Sequence, residues 1–109
     1  MMEKISKALR YNELFLLYGK LLSSTQKEIL ESYYLYDLSI SEIASERGVS
    51  RAAIEDALQK GTQKLEEYEE NLSLLEKKEN ILKIINKMKE GELSSEQFSL
   101  LEEIERSIK

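Results

Sequence analysis

Cysteine, histidine, proline and tryptophan are all absent from this 109-residue sequence, and glycine occurs four times. Without cysteine there is neither a disulfide framework nor a thiolate metal site. Without histidine the chain lacks the commonest general base and the commonest zinc ligand together. A carboxylate-only metal site would need an acidic loop with calcium-ligand spacing, and none is present, so no metal and no cofactor is expected. The remaining carboxylates sit in no pocket-forming context, which leaves no catalytic constellation and points away from an enzyme. No apolar run approaches the roughly 20 residues that span a bilayer, and residues 1–10 carry no apolar signal core. Membrane insertion is therefore not expected, and the cytoplasm is the expected compartment.

What is present is Glu, Lys, Leu, Ile and Ser in abundance, the composition of helices joined by short turns. The net charge is −5 and unevenly placed: +1 over residues 1–36, −1 over 37–64 and −5 over 65–109. A free-standing DNA-binding domain ordinarily carries a basic footprint, because phosphate neutralisation supplies most of its affinity. This chain carries the opposite.

Along the chain, Ile5, Leu9, Leu14, Phe15, Leu17, Tyr18, Leu21 and Leu22 recur in steps of three and four, predicting an amphipathic helix ending near Leu22. Ser23-Ser24-Thr25 interrupts it with two possible capping boxes, Ser23 with Gln26 or Thr25 with Glu28. A second helix then runs to about Tyr36. Tyr33, Tyr34 and Tyr36 suit packing in a core or interface better than stacking on bases. Ser39 and Glu42 form a capping box flanked by Leu38 and Ile43 at the staple positions, which opens a third helix. Gly48 stands where a left-handed residue is wanted to end it, and Ser50 caps a fourth. From Arg51 no breaker but Gly61 appears before Gly91, so the pattern reads as one long helix or as two with a kink near Gly61 or Asn71. Ser94 with Gln97 caps a last, short helix. The expected fold is all-α: a helix-turn-helix bundle of about four helices over residues 1–64, then a long amphipathic helix and a C-terminal helix over 65–109.

Residues 40–58, ISEIASERGVSRAAIEDAL, carry the helix-turn-helix spacing. Ala44 is small where two helices cross. Gly48 permits a positive φ. Ile43, Val49, Ile54 and Leu58 are the apolar residues expected to fix the interhelical angle. With Ile54 at the centre of the buried side, Ala57, Leu58, Gly61 and Leu65 share its face. Ala52, Glu55, Asp56, Gln59, Lys60 and Gln63 then lie on the side that would enter a major groove, with Ser50 and Arg51 near phosphates at the helix N-terminus. That face offers two carboxylates and no outward arginine. Carboxylates accept from cytosine but repel phosphate.

The segments LRYNELFLLY (9–18) and LLSSTQK (21–27), the helix-turn-helix, and LEEYEENL (65–72) together resemble the bacterial YlxM family, over most of the chain to about Met88. The resemblance is concentrated in Arg10-Tyr11-Asn12, in Phe15 and Tyr18, and in the Tyr33-Tyr34 pair. It implies a fold similar to the promoter-reading C-terminal region of sigma factors, and a cytoplasmic protein that assists or regulates the signal recognition particle pathway. Its implied partners are the signal recognition particle GTPase, the particle's RNA, or both. The recognition helix departs from the family pattern, which tends to place Gln and Ala, then Val and Tyr, after the arginine. Here Ala52, Ala53, Ile54 and Glu55 follow Arg51.

The expected function is a non-enzymatic accessory or regulatory factor of that pathway. The alternative is a transcriptional regulator binding DNA through the same motif. The acidic run Glu66, Glu67, Glu69, Glu70 reads as a solvated helix face. Leu65, Tyr68, Leu72, Leu75 and Leu82 form a stripe with little left to cover it. A homodimer seam along those residues is expected.

Overall fold

In the computed structural model of the chain, residues 2–109 are described, with side chains from Ser6 onward. Ile5, placed above in the first apolar set, lies outside the described side chains. Among the described residues all regular structure is helical: α1 (Met2–Tyr18), α2 (Ser24–Leu30), α3 (Ile40–Arg47), α4 (Arg51–Leu72), α5 (Leu74–Lys89) and α6 (Ser95–Ile108). The chain forms two compact units, Met1–Ser73 and Leu74–Lys109.

In the first unit α4 is the common support, against which α1, α2 and α3 all pack. Its buried stripe is Ile54, Leu58, Gly61 and Leu65, in helical steps of four, three and four. The same core takes Leu14, Phe15 and Tyr18 from α1, Ile29 and Leu30 from α2, and Ile43 and Ala44 from α3. Each large aliphatic side chain placed there contributes about 1.5–3 kcal/mol of transfer free energy.

Two predicted helices are shorter than their periodicity suggests. The first ends at Tyr18 and continues as a 3-10 turn over Gly19–Leu21. The second ends at Leu30 and widens into a π-helical turn over Glu31–Leu35, where the Tyr36 N–H donates to the Glu31 carbonyl at 3.1 Å. Of the two caps open in the Ser23–Thr25 cluster, Ser23 is used: its Oγ accepts the Gln26 N–H at 3.2 Å.

The long helix expected between Arg51 and Gly91 is two helices. The break falls at Ser73, which stands at φ +55 with its N–H donating to the Glu69 carbonyl at 2.8 Å. Of the two kink positions expected, Gly61 lies inside unbroken α4, whereas the break falls two residues beyond Asn71. The division between units is accordingly at Ser73 and not at Lys64. Residues 65–72 therefore belong to the first unit.

Polar cross-links fix α1 against α4. Arg10 binds Glu66 in fork geometry, Nε to Oε1 at 2.8 Å and Nη2 to Oε2 at 2.7 Å. The Tyr18 hydroxyl donates to Glu69 Oε1 at 2.7 Å, and the Tyr68 hydroxyl donates to the Leu21 carbonyl at 3.2 Å. The acidic run is thus divided: Glu67 and Glu70 face solvent, whereas Glu66 and Glu69 hold α1. The hydrogen bond from Arg10 lowers the Glu66 pKa below its ordinary value of 4.5. A carboxyl with a depressed folded-state pKa adds stability that is complete above its unfolded pKa and disappears as pH falls through the folded one. Arg10→Met should therefore cost about 0.5–1 kcal/mol at neutral pH, the scale of an exposed bidentate pair. Urea melts of the two proteins should converge as pH drops below about 4. A gap that stayed constant down to pH about 2 would assign the loss to the arginine's packing instead.

In the second unit α5 packs on α6, with Leu75, Ile85 and Leu101 buried. Ser94 and Gln97 make the expected capping box at 3.1 and 3.0 Å. Glu105 accepts from Lys109 at 2.6 Å and from Lys89 at 2.7 Å. The two ammonium groups, Lys109 foremost, bring its carboxyl down to about 2. Lys89 also lies 5.1 Å from the Phe98 ring centroid.

Candidate functional site

The helix-turn-helix is α3, its turn and α4. Ser39 Oγ accepts the Glu42 N–H at 3.1 Å and Glu42 Oε1 accepts the Ser39 N–H at 3.1 Å, so both ends of the expected box are made. The turn closes as a Schellman motif. Gly48 stands at φ +67, its N–H donates to Ser45 O at 3.3 Å, and the Val49 N–H donates to Ala44 O at 3.0 Å. The Val49 side chain is 45 % exposed and is not buried with Ile43, Ile54 and Leu58. The expectation for Val49 is corrected to that extent. Arg47 Nη1 donates to Glu28 at 3.1 Å, tying the end of α3 to α2.

Ser50 caps α4 by accepting the Ala53 N–H on its Oγ at 3.1 Å. Ala52, Glu55, Asp56, Gln59 and Gln63 are exposed along the face that the helical wheel assigned to them, and Arg51 and Lys60 are exposed as well. Lys60 Nζ pairs with Asp56 one turn earlier at 3.0 Å, with both side chains largely exposed. The face also carries the Glu55 carboxylate, amides at Gln59 and Gln63, and Arg51 at the helix N-terminus. Its formal charges, Arg51 and Lys60 against Glu55 and Asp56, balance. It can exchange hydrogen bonds with a partner surface through its amides and carboxylates.

Three of the five residues assigned to a dimer seam are taken up inside their own units. Leu65 is fully buried in the first unit, where α1, α2 and α3 cover α4. Tyr68 is occupied by the Leu21 carbonyl and by the Tyr18 ring at 5.9 Å. Leu75 is buried in the second unit, beyond the Ser73 break. Of the five, Leu72 is 46 % exposed and Leu82 half-buried.

A second polar locus escaped the sequence reading. The Tyr33 and Tyr34 rings meet edge to face at 4.9 Å, and Tyr11 of α1 lies 5.7 Å from Tyr34. Beside them a pocket of about 360 Å³ opens between α1 and the segment entering α3, lined by Asn12, Tyr33, Tyr34, Asp37, Leu38 and Ser39. The paired tyrosines were its one sequence signal. Asp37, which follows the π-helical turn, gave none. Among the described residues no group of three acidic, histidine or cysteine side chains is placed to hold a metal ion. No helix among them is long and apolar enough to cross a membrane.

The family model for helix-turn-helix proteins of the YlxM / p13-like type (UPF0122) matches residues 5–105. The chain is 41% identical over 106 residues to the UPF0122 protein YlxM of Bacillus subtilis, which covers 94% of this chain and 96% of that protein. It is 42% identical over 105 residues to a UPF0122 protein of Halalkalibacterium halodurans, with 93% and 96% covered. A UPF0122 protein of Mycoplasma capricolum is 37% identical over 94 residues, with 86% and 83% covered.

Proposed function

This chain belongs to the YlxM / p13-like helix-turn-helix family, and from that premise we propose that it is a non-enzymatic accessory or regulatory factor of the signal recognition particle pathway in the cytosol. The pathway is what the YlxM resemblance implies. The mode of action is carried by one observation: the exposed face of α4 presents Glu55, and Asp56 pairs with Lys60 at 3.0 Å. A helix-turn-helix is also a compact packing unit that serves protein contacts. A face of amides and carboxylates suits a protein surface with basic side chains better than a phosphate backbone. A pull-down of the full chain with the targeting GTPase and with the particle RNA, separately and together, tests the reading. Retention of the GTPase at micromolar concentration and modest salt is expected. Retention of neither component would remove the proposal.

A second reading, a DNA-binding regulator, is favoured by the exposed Arg51 beside the Ser50 cap, the position from which recognition helices touch phosphate. If it holds, Arg51→Ala weakens binding to any duplex and reduces the logarithmic salt slope by about 1. A titration showing no duplex binding at low salt, where the electrostatic contribution is largest, disposes of it.

A further inference from the structure

The pocket between α1 and the entry to α3 has a combination of walls that specifies its occupant. Asn12 of α1 contributes a half-buried amide side chain to the wall. Asp37 supplies the one formal charge among the lining side chains, and that charge is negative. It is held in a left-handed backbone at φ +56, where the Leu38 N–H reaches back to the Ser32 carbonyl at 3.0 Å across the π-helical turn. Single π-helical turns and left-handed non-glycine residues both concentrate at functional sites. The rest of the wall is aromatic, from Tyr33 and Tyr34, with the Ser39 hydroxyl at its edge. Burial pushes the Tyr34 phenol up to about 12, with Tyr33 and Tyr11 adding to it, so it is a neutral phenol at physiological pH.

We propose that this pocket receives the guanidinium of an arginine side chain presented by a partner protein. A carboxylate asks for a cation, and aromatic walls favour a flat cation over a strongly hydrated ammonium. Arginine meets both demands with one planar group carrying five N–H donors. The volume, about 360 Å³, suits one side chain. Phosphate is repelled by Asp37, so the site is not a nucleic-acid contact. The pocket is also separate from the exposed face of α4, and the proposal stands whether that face meets protein or DNA. Its occupant would touch Leu38 and Ser39, the two residues that set the entry to α3.

The test is amide chemical-shift mapping of the full chain with N-acetyl-arginine methylamide, its lysine counterpart, and the citrulline analogue, which keeps the shape but not the charge. Saturable shifts centred on Asn12, Tyr33 and Asp37 are expected with arginine, weaker ones with lysine and none with citrulline. Asp37→Asn keeps a residue that tolerates left-handed backbone while removing the charge. It should weaken arginine binding at least about tenfold, the scale of a charged hydrogen bond. Tyr33→Leu removes one aromatic wall and should weaken arginine binding about two- to fivefold, the scale of an exposed cation–π contact. If one of the two variants does not fold, the other together with the citrulline comparison carries the test. Equal shifts from citrulline or lysine, shifts located elsewhere, or unchanged affinity in a folded Asp37→Asn protein would overturn the proposal.

Discussion

Gly61→Val should destabilise the first unit by about 3 kcal/mol or more, with a matching fall in the thermal midpoint by calorimetry. A Cβ added at Gly61 would stand 2.6 Å from Leu30 Cδ1 and 3.0 Å from Leu30 Cδ2. Leu30 is itself fully buried, so it has no solvent to move into. A glycine inside a helix ordinarily costs about 1 kcal/mol against alanine, which makes Gly61→Ala informative as well. The helix gains that propensity but α2 is pushed from α4, and overpacking of a filled core costs about 1–3 kcal/mol. A net loss is expected for alanine and a larger one for valine, whose two γ carbons extend the overlap. Leu30→Ala alone should cost about 2–5 kcal/mol through the cavity it leaves. Combined with Gly61→Ala it should cost less than the sum of the two, because the new methyl occupies part of that cavity. A stabilised Gly61→Ala protein would show that α2 does not depend on this close approach.

Gly61 also illustrates what the sequence could convey. The helical wheel placed it on the buried face of α4 beside Leu58 and Leu65, and it is there. Its alternative reading as a kink failed because a glycine is tolerated wherever its backbone hydrogen bonds persist, and in α4 they do. The local signals were the most legible. Ser39 with Glu42, Ser94 with Gln97, Gly48 and Ser50 all act within three residues of themselves, so the chain order already contains their partners.

Ser73 is the counter-example. It takes a left-handed conformation that glycine or asparagine ordinarily marks, and the helix breaks there, two residues beyond the Asn71 that offered a kink. The long-range pairs were hidden. Arg10 and Glu66 lie 56 residues apart, and charge patterning alone assigns both to solvent. The pocket beside Asn12 depends on two segments meeting and on a π-helical turn that rotates the tyrosines by an extra residue. Periodicity at 3.6 residues has no means of registering that turn. The outward face of α4 was legible because one helix fixes it. The dimer stripe was not, because periodicity tells which residues share a face but never what covers it.

That distinction leads to the largest contrast expected among the leucines of the stripe. Leu65→Glu should unfold the first unit, whereas Leu72→Glu should leave its stability within about 0.5 kcal/mol. Leu65 has no exposed surface, so the substituted carboxylate would be either ionised and unpaired in an apolar core or neutralised by a raised pKa. Either outcome costs several kcal/mol, against the total of about 5–15 kcal/mol that holds a domain of this size. Lowering the pH should partly restore the fold, since protonation removes the charge but not the lost packing. Leu72 is 46 % exposed in the last turn of α4, and a carboxylate there remains in water. A dimer seam running through both residues predicts the reverse pattern: Leu65→Glu would stay folded and sediment as a monomer. Circular dichroism with sedimentation velocity on the two variants separates the cases. A folded, monomeric Leu65→Glu protein would restore the seam and refute the core in which Leu65 is placed.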